Sequence, residues 1–187
     1  IHLVTAFITF GFVFWVMLDL IYPISAVSYS ATSKIKRISH MILLLVVLQI
    51  IYGAFVAGLH AGRIYNTFPK MGNEWMAEAV FALDPFWKNF TENIAGVQFV
   101  HRCIAWLVLL AISLLWFLAR NLQLTKRQKL GINALAIIVF FQFLLGVFTL
   151  LFAVPVALGI LQQAGAFVFF VALLYLLHSL KKNATVA

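Results

Sequence analysis

The sequence predicts an all-α, polytopic membrane protein with five transmembrane helices, and its composition, run lengths and charge placement all support this class. Of its 187 residues, 65% are hydrophobic and only 10% are charged, whereas a soluble domain is typically about 25% charged. Five apolar runs approach the ~20 residues that a helix needs to cross a bilayer. Helices that are apolar on all sides need lipid around them, so the lipid bilayer is the first partner that the sequence implies.

The five runs cover residues 2–22, 40–59, 98–119, 131–152 and 157–178. A backbone in lipid must satisfy its own hydrogen bonds, which favours helices for runs of this length. Because the chain has no initiator methionine and enters an apolar run at residue 1, we expect it to be the C-terminal portion of a longer protein. The last four runs are expected to form a four-helix bundle.

Charge placement predicts the orientation of these helices. Nine of the thirteen Lys and Arg residues lie beside the ends of apolar runs on one side, which is the positive-inside pattern. They are Lys34, Lys36, Arg37, Arg120, Lys126, Arg127, Lys129, Lys181 and Lys182. The segments 23–38 and 120–130 and the C-terminal tail are therefore predicted on the cytoplasmic or matrix side. No basic stretch is interleaved with exposed aromatic residues, so the net charge of +8 does not indicate nucleic acid.

The connection over residues 60–97 is predicted on the opposite, periplasmic or intermembrane side. It contains four of the five acidic residues, and a loop of this length is usually functional or disordered. Its aromatic stretch NEWMAEAVFALDPFWKNF (residues 73–90) is compatible with an interfacial helix or with an irregular loop held at the headgroups by its aromatic residues. Just before it, small residues from Gly53 to Gly62 indicate close helix packing, with chance composition as the alternative.

Polar residues in or beside the apolar runs are the candidates for chemistry, because ionisable groups are costly in a membrane. Asp19, His40 and His178 lie near the basic ends of their runs, where contact with water or headgroups explains them. His2 and His101 lie near the outer ends. Histidine is a common metal ligand and an axial ligand of heme iron, although hydrogen bonding at the interface is the simpler explanation for either residue alone.

Two neighbours strengthen the case for His101. The guanidinium of Arg102 suits a carboxylate such as a heme propionate. Gln98 lies one turn earlier on the same face of the predicted helix. In addition, the first run opens HLVTAF (residues 2–7) and the last contains QQAGAF (residues 162–167), which aligns Phe7 with Phe167 and suggests that each of these helices closes one repeat.

At these residues the chain resembles the heme A synthase family of mitochondria and proteobacteria. The resemblance is carried by GAFVAGLHAGRIYNTFPKMG (residues 53–72), ENIAGVQFVHR (residues 92–102) and LLGVFTLLFAVPVALGILQQAGAF (residues 144–167). It implies eight helices in two pseudo-repeated halves. Residues 1–22 would be the last helix of the otherwise missing N-terminal half, 23–38 a linker, 39–180 the C-terminal half and 181–187 a basic tail.

The resemblance also implies a function and a set of sites. The family oxidises a ring methyl of heme O to the formyl group of heme A for terminal oxidases, and its second half holds heme b. His2 would ligate the substrate heme and His101 the heme b, while Arg102 and Arg63 would bind propionates. Gln98 takes the position that the catalytic acid has in the first half, so no catalytic residue is expected in this chain. A fragment without that half is expected to be inactive.

Two positions depart from the family pattern. Where the last helix of relatives usually begins with a histidine, this chain has Gln162, so His101 is expected to be the only protein ligand on its iron, or the site to lack heme. His60 replaces an acid or Arg and could serve as a ligand, although a loop residue is the simpler interpretation. Heme O synthase and an electron donor are the implied partners, a homo-oligomer stays open, and the implied location is the bacterial or mitochondrial inner membrane.

Two other classes of protein remain compatible with these residues. A non-catalytic heme b electron carrier would share the bundle and the histidine at its mouth but would need two axial ligands. A transporter or scaffold subunit would use its histidines only as polar lining. Heme content separates the last class from the others, and conversion of heme O to heme A separates the first two.

Overall fold

The computed structural model describes residues 2–22 and 33–181, and these form five long α-helices. The helices are α1 (His2–Ile21), α2 (Ser33–Gly58), α3 (Ile94–Ala119), α4 (Lys126–Leu151) and α5 (Val156–Ser179). All five are long and apolar enough to cross a membrane, and the described ranges contain no β-strand. The predicted all-α membrane fold is therefore confirmed.

Three helices, α2, α3 and α4, begin at least four residues before their apolar runs. The Asn93 side chain caps α3 by accepting hydrogen bonds from the backbone N–H groups of Ala95 and Gly96, and Thr125 with Gln128 forms a capping box at α4. The predicted linker 23–38 is wrong in its second part, because residues 33–38 belong to α2; residues 23–32 and the tail from 182 onward lie outside the described residues. Hydropathy detects where a chain enters lipid, whereas capping side chains decide where a helix starts.

The last four helices form a closed bundle. α2 contacts α3, α3 contacts α4, α4 contacts α5, and α5 returns to α2, while α1 lies outside the bundle, mainly against α5. Fully buried aliphatic side chains from all four bundle helices form the core. They are Ile35, Ile42, Ile112, Leu115, Leu135, Leu173 and Leu176. We call the end that carries residues 59–93 the loop end, and the opposite end the basic end.

Phenylalanines that the HLVTAF/QQAGAF alignment places at equivalent positions of α1 and α5 contact each other reciprocally. The aligned rings of Phe7 and Phe167 touch, with centroids 5.9 Å apart. The same alignment pairs Phe10 with Phe170, and the crossed contacts Phe7–Phe170 and Phe10–Phe167 are both present, at 5.3 and 4.5 Å. Reciprocal contacts are the property of an interface between two-fold related elements, so α1 and α5 meet as equivalent helices of two repeats would.

At the basic end the same two helices share a polar cluster. Asp19 of α1 accepts hydrogen bonds from His178 Nε2 at 2.9 Å and from Lys181 Nζ at 2.8 Å. The other ring nitrogen of His178 lies 3.3 Å from an Arg127 nitrogen, and the Arg127 guanidinium covers the ring of Tyr22. His178 is thus buried and paired, whereas the sequence predicted simple contact with water.

The outer segment is not a continuous interfacial helix. It contains three short 3-10 helices, Ala61–Arg63, Glu78–Phe81 and Phe86–Phe90, and the last two pack on the start of α3. The fully buried Asn89 holds the turn by donating to the carbonyls of Leu83 and Phe86. Asn93 donates to Ala79 O and to Asn89 Oδ1. The backbone is therefore that of an irregular loop, held by its own asparagine side chains, and contact of its aromatic residues with headgroups stays a prediction.

Candidate functional site

A cavity of about 380 Å³ extends from the loop end into the bundle and is lined mainly by apolar side chains of α2, α3, α4 and α5. Of the six residues that the sequence singled out as ligand- or cofactor-binding, five line this cavity. They are Arg63, Gln98, His101, Arg102 and Gln162. His2 is exposed at the start of α1 and does not line the cavity, so the structure separates it from His101.

His101 lies on the second turn of α3, and its ring is turned towards α2. Its Nε2 is 3.2 Å from the amide nitrogen of Gln49. A methyl group added at Gly53, one turn further along α2, would lie 3.5 Å from His101 Cε1, so the small residue leaves room for the imidazole. His101 Nδ1 is buried and has no hydrogen-bond partner among the described residues.

Four further buried polar atoms around the cavity also lack a partner within the described ranges. They are Gln49 Oε1, Gln98 Oε1, Arg102 Nε and Gln162 Oε1. An unsatisfied buried polar group costs about 1–3 kcal/mol, and native proteins keep few of them. Their concentration around one cavity, on three different helices, indicates a ligand that carries polar groups on an apolar body.

Arg102 has a different surrounding from the one predicted. Its two terminal nitrogens donate to backbone carbonyls of the outer loop, to Tyr65 O at 2.7 Å, Thr67 O at 3.0 Å and Lys70 O at 3.1 Å. Gln98 Nε2 donates to the same Tyr65 carbonyl at 3.2 Å. Arg102 therefore holds residues 65–70 over the mouth of the bundle, and only its Nε remains without a partner.

Residues 65–72 contain the part of the loop that Arg102 holds. Asn66 Nδ2 donates to the carbonyls of Gly62 and Leu150, both at 2.8 Å, and so joins the loop to the end of α4. The Phe68 ring stacks on Trp106 of α3, with centroids 6.0 Å apart. This stretch closes the loop end of the bundle by hydrogen bonds and ring contacts.

Arg63 and His60 lie at the rim of the cavity. Both are exposed and contribute to its lining. The Arg63 guanidinium makes no hydrogen bond or ion pair with any residue that the structure describes, so it is free to meet an anionic group. His60 has a positive φ of 54°, a left-handed conformation in which His is more common than most non-glycine residues.

Gln162 lies on the second turn of α5, across the α4–α5 contact. The neighbouring Gln142 of α4 donates from its amide nitrogen to the Gln162 carbonyl at 2.7 Å, and its Oε1 fills the space beside Gly165. The Gln162 amide nitrogen in turn lies 3.1 Å from where a methyl group at Gly146 would be. The two glycines thus make room for amides between the helices.

A comparison with protein families shows which family the chain belongs to. The model of the COX15-CtaA family, described as cytochrome oxidase assembly protein, matches residues 1–174. The chain belongs to this family.

Curated relatives agree with the COX15-CtaA assignment. The chain is 46% identical to a Heme A synthase of Flavobacterium johnsoniae over 97% of its own length and 53% of the relative. It is 38% identical to Heme A synthase COX15 of Arabidopsis thaliana and 35% identical to that of Bos taurus, over 40% and 44% of those proteins. The chain thus spans about half the length of the curated relatives it matches. No solved structure matches it.

The sequence analysis missed two glutamines that line the cavity. Gln49 and Gln142 both line the cavity, and each is a lone glutamine inside an otherwise apolar run. That signal was present, because an amide in the middle of a membrane helix needs a partner just as an ionisable group does. The sequence could not show that Gln49 would face His101, since the two lie on different helices.

Proposed function

We propose that this chain is the C-terminal part of a heme A synthase, an oxidoreductase that converts a methyl group of heme O to the formyl group of heme A, and that the α2–α5 bundle holds a heme b. Family membership and the names of the curated relatives support the reaction. The observation that supports the heme b site is the Nδ1 atom of His101, which is buried and unpartnered among the described residues and lies at a mainly apolar cavity.

The residues present fit a heme better than a bare metal ion. Within residues 2–22 and 33–181, no three His, Cys, Asp or Glu side chains come together as a metal site would require. Heme iron already has four porphyrin ligands and needs from the protein only an axial group such as one imidazole. A mainly apolar cavity with His101 inside it, and with Arg63 and His60 at its rim, meets that requirement.

In this proposal each residue has a distinct role. His101 ligates the iron, Arg63 binds a propionate with its free guanidinium, and Arg102 keeps the loop closed while offering Nε to the same edge. Gln98 and Gln162 present amide oxygens to the ligand. A bound heme b supplies one-electron transfer. His2, outside this cavity, belongs to the substrate site and ligates heme O together with residues of the other half.

The reaction also requires partners beyond this chain. Conversion of a methyl to a formyl group with water as the oxygen source releases four electrons and four protons, so the redox partner must be an electron acceptor that takes up these electrons. A heme O synthase is the class of enzyme that must supply the substrate. Both partners act at the inner membrane of a bacterium or a mitochondrion, with residues 60–97 on the periplasmic or intermembrane side.

The experiment is a reduced-minus-oxidised spectrum of the complete, detergent-purified protein and of His101→Ala and His40→Ala. His40 is an exposed histidine at the basic end whose ring hydrogen-bonds to Lys36 O, so it is a matched control. We expect a heme b band that His101→Ala loses and His40→Ala keeps. An identical band in all three proteins, or no heme in the unmutated one, would contradict the heme b site.

Turnover is tested separately with the complete protein by extracting and separating heme O and heme A after incubation. Heme A formation supports the oxidoreductase. Heme b without any heme A formation would point instead to a non-catalytic electron carrier, and the absence of both would leave a transporter or scaffold subunit.

A further inference from the structure

Among the residues that the structure describes, Gln49 is the one with a side chain hydrogen-bonded to the His101 ring. Its amide nitrogen is 3.2 Å from His101 Nε2, and this is its only side-chain hydrogen bond to residues that the structure describes. Its Oε1 is buried and unpartnered. Gln49 is on α2 and His101 on α3, so the contact crosses the helix pair that forms one wall of the cavity.

A role in packing alone does not explain a glutamine at this position. A buried amide without a full set of partners costs free energy that a leucine of similar size would avoid. Most residues around Gln49 on α2 are aliphatic or aromatic, so an apolar side chain would suit the helix. What the amide adds is a hydrogen bond to the imidazole.

The chemistry of a neutral imidazole gives that hydrogen bond a consequence. One ring nitrogen carries the proton and the other a lone pair, and the group bonded to one nitrogen decides the role of the other. A glutamine amide can donate through its nitrogen or, turned by half a rotation, accept through its oxygen. When it accepts, the ring nitrogen facing it keeps the proton, and the other nitrogen presents its lone pair to a metal.

The geometry points to Gln49 as the positioning residue of His101, which holds the imidazole in the tautomer and orientation that iron requires and tunes the heme b potential through the ring N–H. This inference rests on the proposed heme b site. Ligating histidines almost always donate their second N–H to an oxygen acceptor, and the acceptor raises the basicity of the ligand. The Gln49 amide nitrogen faces His101 Nε2 in the structure, and a half rotation of the amide would present its unpartnered Oε1 to that ring nitrogen as the acceptor.

The test compares Gln49→Leu and Gln49→Glu in the complete heme-loaded protein, with two readouts that do not depend on turnover. These are the midpoint potential of heme b and the iron–histidine stretching frequency in the resonance Raman spectrum of the reduced form. Without an acceptor, Gln49→Leu should shift the potential upward and lower the frequency. A carboxylate is a stronger acceptor, so Gln49→Glu should shift both quantities in the opposite directions.

Gln128→Leu is the matched control, because Gln128 is also a buried glutamine of a bundle helix but lies at the basic end, donates to Ser179 O and is not among the residues that line the cavity. Heme retention that falls about 10- to 100-fold in Gln49→Leu, but not in the control, supports the same conclusion. Unchanged potential and frequency in both Gln49 variants would overturn the inference while leaving the heme b site intact. Absence of heme from the unmutated protein would instead refute the proposed site itself.

Discussion

Gln162 brings an amide to the cavity at a position where the family resemblance implies a histidine. We predict that Gln162→His supplies a second axial ligand, because position 162 lines the cavity with a buried, unpartnered side-chain oxygen. The spectrum of the proposed heme b should change from a high-spin to a low-spin form, and heme should be retained more tightly. Optical and electron paramagnetic resonance spectra of the complete protein measure this.

The double variant His101→Ala/Gln162→His is the control, because it leaves only the new histidine at position 162 to ligate the iron. It should retain heme with a single axial histidine and return to the high-spin form. If Gln162→His keeps the spectrum of the unmutated protein, position 162 is too far from the iron to serve as a ligand.

The two arginines near the cavity should respond differently to substitution. Arg102→Leu removes the hydrogen bonds to three carbonyls of residues 65–70 and should cost the loop on the order of 1–2 kcal/mol of local stability. The exchange of the Met71 and Gly72 amides, which are hydrogen-bonded within this loop, should accelerate. Arg63→Leu should leave that exchange unchanged, because the Arg63 guanidinium makes no hydrogen bond with the described residues of the loop. It should weaken heme retention, because this guanidinium is the proposed partner of a propionate.

Hydrogen–deuterium exchange and heme retention, measured on both variants, separate these roles. Faster exchange at Met71 and Gly72 in Arg63→Leu would show that Arg63 also holds the loop. Full heme retention in Arg63→Leu would mean that it binds no propionate.

At the scale of elements, the outer loop packs so closely on the start of α3 that only a glycine fits at position 96. A methyl group at Gly96 would overlap Asn89 O and lie 3.0 Å from Val80 O. Gly96→Ala should therefore push the loop off α3 and destabilise the protein by about 1–3 kcal/mol. The control is Gly159→Ala on α5, where the added methyl meets nothing within 4 Å and should stabilise the helix by up to about 1 kcal/mol.

Thermal unfolding in detergent measures both glycine variants. The melting temperature should fall in Gly96→Ala and hold or rise in Gly159→Ala. Equal melting temperatures would mean that the loop yields to the methyl group without loss of its other contacts.

Asp19 tests the contact between α1 and α5 at the basic end. Asp19→Asn removes the charge that accepts from His178 and Lys181, so the two helix ends should separate more often. Spin labels on the basic ends of α1 and α5 should show a broader distance distribution in this variant. Asp84→Asn is the control, because Asp84 is an exposed acid that makes no ion pair within the described parts of the chain. A distance distribution equally broad in both variants would show that Asp19 does not hold the two helix ends together.

The helices could be predicted from sequence because membrane insertion depends on local composition. Each of the five apolar runs became a helix, and the resemblance to the heme A synthase family was confirmed. The order of the outer loop could not be predicted, since Asn89 and Asn93 form hydrogen bonds with partners such as Leu83 and Ala79 that only the folded turn brings near. Likewise His101 and Arg102 carried a visible motif, whereas their partners Gln49 and Tyr65 O are set by helix packing.

At the scale of the whole molecule, the positive-inside pattern predicts which end faces the cytoplasm or matrix. A single cysteine at position 88 (Lys88→Cys), in a background with Cys103→Ala, should react with an impermeant maleimide added to intact cells or mitoplasts. One at position 129 (Lys129→Cys) should react only after permeabilisation. Labelling in the opposite order would reverse the orientation of all five helices.

The pairing of α1 with α5 also has a consequence for how the protein is made. Asp19 and its partner His178 are 159 residues apart, and at ribosomal rates of about 5–20 residues per second the second is synthesised roughly 8 to 30 s after the first. During that interval α1 is in the bilayer without the helix against which it mainly packs. The nascent chain must therefore shelter a row of phenylalanines elsewhere, so an insertase or chaperone that holds α1 until translation ends would protect the chain at its most vulnerable stage.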